Sequence, residues 1–169
     1  PQDVTSGTTL KVWWQQEYYS EKHKQIFYFQ WKAAISKRAG GENNPFIYGN
    51  QVLKGFNDLE SNYPELIKEW DWERNGSLTP DKITCCTRRK VWWKINLPHP
   101  ITGEVIELPW EASVAHRTNG EQCPYLSGKK ILKGFNDLAT THPKLAEQWD
   151  YEQNVGLSPD EITKGSLRK

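Results

Sequence analysis

Shifted by 79 residues, the sequence lies on itself without a gap. Lys11-Val12-Trp13-Trp14 falls on Lys90-Val91-Trp92-Trp93, Trp31 on Trp110, Arg38 on Arg117, and Gly41-Glu42 on Gly120-Glu121. The heptapeptide Leu53-Lys54-Gly55-Phe56-Asn57-Asp58-Leu59 recurs unchanged as Leu132 to Leu138. Pro64, Leu66, Trp70, Asp71 and Asn75 recur as Pro143, Leu145, Trp149, Asp150 and Asn154. A fixed period of this size means that one small supersecondary unit is built more than once. The units expected are 1–79 and 80–158, with 159–169 as the start of a third. Pro1 aligns with Pro80 and Pro159, and the chain has no Met, so it reads as a segment of a longer array. A unit of this length is small for a self-sufficient core, and burial of Trp or contact between units must compensate.

Composition supplies that compensation. Hydrophobic residues are 36% and aromatics 12%, but nine of the aromatics are Trp, each able to bury about 150–250 Å². Disordered chains lack such residues, so a folded protein is expected. No uncharged apolar run approaches the roughly 20 residues of a membrane helix. The three Cys include an adjacent pair, Cys85-Cys86, a poor basis for a disulfide framework, and an intracellular, cytoplasmic location is expected.

Within a unit the signals are those of an α+β module. Lys11-Val12-Trp13-Trp14 reads as a strand and Ile26 to Trp31 as its return. In the second unit Thr102-Gly103 marks the turn, while Pro98, Pro100 and Pro109 restrict pairing to an edge. A glycine-bearing loop follows at Gly41 or Gly120. Pro64 to Trp70 then places Leu66, Ile67 and Trp70 on one helical stripe, with Pro64 in the first turn and Ser61 or Asn62 as cap. Thr79-Pro80-Asp81 predicts a second short helical turn. The fold class is therefore two tandem small modules, each a β-hairpin plus short helices. Of the paired Trp13-Trp14 and Trp92-Trp93, strand geometry sends neighbours to opposite faces. The outer indole is either covered by packing or open to stack on a base.

Lys90-Val91-Trp92-Trp93-Lys94, Trp110-Glu111-Ala112-Ser113-Val114, Arg117-Thr118-Asn119-Gly120, Cys123-Pro124-Tyr125 and Trp149 to Asn154, in this order, resemble the zinc-ribbon or treble-clef zinc-finger repeat family. The family pattern runs W-x-x-x-x-N-G-x-L-x-P, V-W-W-x-C-x-x-x-H-x-W, R-x-x-G-x-x-C-P-x-C, and the resemblance spans the chain twice. It implies nucleic-acid binding, by analogy with other zinc ribbons, in a larger protein that sometimes carries a nuclease domain. The zinc ligands are largely missing. A closed zinc site needs four N or S donors, yet the four positions read Gln16, Ser20, Asn44 and Ile47 in the first unit and Ile95, His99, Cys123 and Leu126 in the second. The resemblance therefore implies degenerate units without metal or other cofactor, with Ile47 and Leu126 filling the zinc space. A residual zinc site would have to use His99 and Cys123, joined by Cys85 and Cys86.

Charge is distributed unevenly. Residues 82–94 hold Lys82, Arg88, Arg89, Lys90 and Lys94 without an acid, whereas 58–73 are acidic. Facing a phosphate backbone, the basic side would engage nucleic acid, with DNA the expected form, through Arg38, Arg117, Arg88, Arg89, Lys90, Lys11, Lys129, Lys130, Lys54 and Lys133. The alternative for Arg38 and Arg117 is an arginine that bonds loop carbonyls and stacks on Trp31 or Trp110. The net charge of +1 and pI near 8.1 are modest for such a partner. No nucleophile elbow, P-loop or dinucleotide fingerprint occurs, and the four His occupy unmatched positions in the two units, so a non-catalytic segment is expected. The competing function is a protein-interaction or scaffold module using the acidic helices and surplus Trp.

Overall fold

The computed structural model describes residues 5–166; Pro1, which sets the repeat phase, and the last three residues of the expected third unit lie outside them. The chain divides into two compact units, one of Pro1–Lys68 with Asn75–Arg89, the other of Glu69–Arg74 with Lys90–Lys169. Strands and short helices together make both units α+β.

In the first unit, β1 (Lys11–Ser20) and β2 (Gln25–Ala34) form an antiparallel hairpin with Trp14 opposite Trp31. The strands are longer than their apolar stretches, because the ladder continues through the polar Gln15 to Ser20. Along β2 the burial alternates: Phe29, Trp31 and Ala33 face the core, Tyr28, Gln30 and Lys32 face out. Phe46, Ile47, Leu53 and Phe56 close over that inner face. After α1 (Ile35–Ala39) come α2 (Leu59–Asn62) and α3 (Pro64–Ile67).

The second unit has β3 (Lys90–Pro98) paired antiparallel with β4 (Val105–Ser113), Trp93 opposite Trp110. It continues through α4 (Val114–Thr118), α5 (Leu138–Thr141) and α6 (Pro143–Ala146). Pro109 sits within β4, which the sheet allows because β4 pairs on one side only, with β3. Val91, Trp93, Leu108, Trp110, Val114 and Leu138 form the buried interior.

The heptapeptide is a local knot of hydrogen bonds. Asn57 accepts from Leu53 N at 2.7 Å and donates to the carbonyls of Phe46 and Gln51 at 2.7 and 2.8 Å. Asn136 does the same with Leu132, Tyr125 and Lys130. Gly55 and Gly134 hold φ of 83° and 80°, a region closed to most side chains. Asp58 and Asp137 cap α2 and α5 through Ser61 N and Thr140 N, and each also takes a glycine N–H at 2.6 Å.

Three helical expectations are corrected. α3 stops at Ile67, so Trp70 is no helix-core residue; it leaves the helix to pair with Trp93. Tyr63, not Ser61 or Asn62, stands at the start of α3 without a side-chain cap, because the Asn62 amide is engaged by the carbonyls of Phe56 and Asp58. Pro80–Lys82 is a helical turn with Pro first, as the sequence suggests, but the Thr79 hydroxyl donates to Asp81 instead of capping.

Asp137 gives a first prediction. Burial raises its carboxyl, but the hydrogen bonds from Thr140 and Gly134 outweigh that, leaving it below the ordinary range. Asp71 is likewise raised by burial and lowered further by the backbone and guanidinium of Arg74. A carboxylate held low in the folded state stabilises at pH above its unfolded value of about 3.9, and the contribution is lost as pH falls through the lowered value. The melting temperature should therefore be flat down to about pH 4 and fall below it. Asp137→Asn should flatten that acid limb; an unchanged limb would refute the role of this cap.

Candidate functional site

The basic residues fall into two classes. In the second unit the Arg117 side chain is only 4% exposed. Its guanidinium lies 5.2 Å from the Trp93 ring and 5.4 Å from the Trp110 ring, donates from Nη1 to the Glu121 carbonyl, and pairs through Nη2 with Glu69. β3 and β4 bring the two indoles opposite each other, and α4 delivers the arginine between them. In the first unit Arg38 lies over Trp14 and Trp31 at 5.2 and 5.4 Å and donates to the Glu42 carbonyl. Both arginines thus stack and bond loop carbonyls, the packing alternative left open by the sequence. Sequence reasoning missed Glu69, which lies within the expected first unit, 1–79, yet pairs with Arg117.

Several lysines are engaged by acids. Lys54 pairs with Asp81 at 3.2 Å and Glu60 at 3.5 Å, and Lys133 with Asp160 at 2.7 Å and Glu161 at 3.7 Å. The hydrogen bond to the aspartate raises each ammonium above its usual range. Lys129 pairs with Glu121 at 2.6 Å, and Lys94 with Glu107 at 2.8 Å. Lys130 stands over the Tyr125 ring. Lys11, Arg88, Arg89 and Lys90 are exposed, and among the described residues none of the four has a carboxylate partner. Arg88-Arg89-Lys90, with exposed Lys82, forms a run of free cations along one stretch of chain.

The outer tryptophans differ. Trp92 is half-buried under the Arg74 guanidinium at 5.9 Å. Trp13 is 68% exposed, with the Lys32 ammonium above its ring at 5.1 Å. Of the two outcomes open for the outer indole, Trp13 takes the uncovered one: among the described residues no stretch bridges to β1 as Trp70 bridges to β3. The Glu69–Arg74 segment is held by a bridge between Trp70 and Trp93, by Lys94 N to the Glu69 carbonyl at 2.7 Å, and by Asp71 N to the Trp92 carbonyl at 3.2 Å. Buried Trp70 meets Trp93 edge-on at 5.5 Å. Arg74 ties Asp71 at 2.7 Å to Glu107 at 2.9 Å; hydrogen bonds from Lys94 and Arg74 hold the Glu107 carboxyl below its ordinary range.

The donor set does not fit zinc. Asn44 is buried and donates to Gln16 Oε1 at 3.1 Å, so two of the four positions in the first unit satisfy each other as amides. Ser20 bonds His23 at 2.8 Å, and Ile47 packs on the core as expected. In the second unit His99 Nδ1 accepts the N–H groups of Ile101 and Thr102 at 3.2 and 3.3 Å, leaving Cys123 buried. Leu126, expected to fill the zinc space, is instead 58% exposed. Among the described residues no three His, Cys, Asp or Glu side chains gather to hold a metal. No helix among them is long and apolar enough to cross a membrane.

Residues 66–129 match the family model described as "Probable Treble clef zinc finger domain". The match begins within α3, just ahead of Glu69–Arg74, and ends past Arg117 and Cys123. No curated protein and no solved structure matches the chain.

Proposed function

We propose, from the treble-clef zinc-finger-like character of residues 66–129, that the chain is a non-catalytic nucleic-acid-binding segment of a larger protein, built from two tandem degenerate units that hold together without zinc. The observation that carries this reading is the exposed, acid-free run Arg88-Arg89-Lys90 with Lys82. Unpaired cations lose little on meeting a phosphate, whereas a cation such as Lys129 must first leave its carboxylate. Lys11 and Lys130 extend the set. Arg38 and Arg117 serve the interface only by holding the hairpins in shape. DNA is the preferred partner, and binding is electrostatic, reading backbone and not sequence.

The test is a fluorescence titration of labelled duplex DNA at low and at physiological salt. Binding should weaken steeply with salt. Arg88→Ala/Arg89→Ala/Lys90→Ala should lower the slope of log affinity against log salt by up to about 3, near 0.9 for each phosphate that is no longer neutralised. No binding at either salt, or an unchanged slope in the triple variant, would overturn the proposal.

A second reading, a protein-interaction module, is favoured by one observation. Trp13 and Tyr28 are both exposed on the β1–β2 hairpin, and aromatics of this kind anchor protein interfaces. Binding through them would depend little on salt.

A further inference from the structure

A groove opens in the first unit between β2 and the loop that follows α1. Its volume is about 440 Å³, within the range of small-molecule sites. One wall is β2 at Trp31, Lys32 and Ala33. Ile35 N donates to the Leu10 carbonyl at 3.1 Å, and bonded pairs alternate along an antiparallel ladder. Lys32 therefore turns its N–H and carbonyl away from β1. The other wall carries the Glu42 carboxylate, the Asn43 and Asn50 amides and the Tyr48 ring, which is 63% exposed.

The equivalent place in the second unit is open as well, between Gly120, Glu121, Gln122, Ser127 and Lys129. The first unit has a successor in the sequence and the second a predecessor, so the opening does not depend on which neighbour a unit has. The chemistry of the two grooves differs. Glu121 gives one oxygen to Lys129 at 2.6 Å and the other to His116 at 3.1 Å. Asn50 stands where Lys129 does, and Tyr48 where Ser127 does. Glu42 meets Lys37 at 3.9 Å, the outer limit of an ion pair. The first groove thus joins a lightly engaged carboxylate to an exposed aromatic ring.

The surroundings of this groove favour an anion. Gly49, between Tyr48 and Asn50, lies so close to Cys86 Sγ that no side chain fits there. Just beyond Cys86 come Arg88 and Arg89, both exposed. Phosphate would be drawn to them, whereas a cationic peptide side chain would be repelled.

We infer that the groove takes one unpaired guanine of a nucleic-acid strand whose phosphates meet Arg88 and Arg89. Among the bases, guanine alone sets two N–H groups side by side on its pairing edge, and the Glu42 carboxylate accepts both. An amide of Asn43 or Asn50 donates to the keto oxygen beside them, and Tyr48 stacks on the ring. A guanidinium, being donor only, would leave the Lys32 N–H unanswered. The inference rests on the nucleic-acid reading and adds to it: a duplex offers the cations its backbone alone, whereas an unpaired stretch also presents a base.

Fluorescence anisotropy of the whole chain with labelled short oligothymidine strands tests this, the central base being guanine, hypoxanthine or thymine. The guanine strand should bind about tenfold tighter than the thymine strand, the scale of one bidentate base contact. Hypoxanthine, which lacks the 2-amino group, should lose most of that gain. Glu42→Gln should abolish the preference and leave duplex binding and its salt slope unchanged, while Glu121→Gln should keep the preference. Equal affinity for the three strands, with duplex binding intact, would overturn the inference and spare the nucleic-acid reading. A preference that survives in Glu42→Gln would overturn it too, as would Glu42-dependent binding of an arginine peptide in place of a guanine preference. Failure of every strand and of the duplex to bind would remove the nucleic-acid reading itself, and this inference with it.

Discussion

Trp93→Ala should lower the stability of the second unit by about 3–5 kcal/mol, the cost of removing a fully buried indole. Trp93 is 0% exposed, faces Trp70 edge-on, lies opposite Trp110, and donates its Nε1–H to the Ala112 carbonyl at 3.1 Å. Its removal leaves a cavity bounded by two other tryptophans and the Arg117 guanidinium, and none of them can collapse without breaking its own contacts. The matching Trp14→Ala should cost less, about 1–3 kcal/mol, although Trp14 Nε1 makes the same bond to the Ala33 carbonyl at 3.0 Å, because Trp14 is only half-buried. Urea denaturation followed by far-ultraviolet circular dichroism measures both. Equal losses at the two positions would show that Glu69–Arg74 contributes nothing to the burial of Trp93.

Arg117→Ala should destabilise by about 2–4 kcal/mol, in the range for breaking a buried charge pair. The variant leaves the Glu69 carboxylate without its cation and removes the group filling the gap between Trp93 and Trp110. Arg117→Lys should recover little, since an ammonium neither stacks flat on an indole nor reaches carbonyl and carboxylate together. Arg38→Ala should cost nearer 1 kcal/mol, having two stacking contacts and a carbonyl bond but, among the described residues, no ion pair. The same samples separate packing from binding. If Arg117→Ala kept full stability and lost DNA affinity, the guanidinium would belong to the interface after all.

The parts of this protein set by neighbouring residues were legible beforehand. Gly55, Phe56, Asn57 and Asp58 do what their side chains do in any tight turn, and both copies satisfy the same backbone groups. The hairpins were legible as well, since β-branched and aromatic runs on both sides of a polar turn have few other uses. The donor set was readable without any structure, because Ile95 and Leu126 carry no lone pair for a metal.

Trp70 marks where that legibility ended. Its spacing from Leu66 and Ile67 fits a helical stripe, yet Lys68 ends the turn and Trp70 joins another strand. Periodicity describes the chain along its own axis and carries no information about a strand edge distant in sequence. Arg38 and Arg117 were ambiguous for a related reason: a guanidinium suits a phosphate and a pair of indoles equally well, and only the structure shows Trp14 and Trp31 around Arg38, and Trp93, Trp110 and Glu69 around Arg117.

The sequence by itself determined the 79-residue period, the α+β character, the two hairpins and the absence of a complete zinc donor set. Those properties depend on residue identity and on contacts close in the chain. Tertiary structure alone decided which tryptophan of each pair is the more buried, which cations meet carboxylates and which stretch lies along β3. Two nearly identical stretches meet different fates there, Trp70 buried and Trp149 half-exposed, because burial belongs to a pair of surfaces, and a sequence lists only one of them at a time.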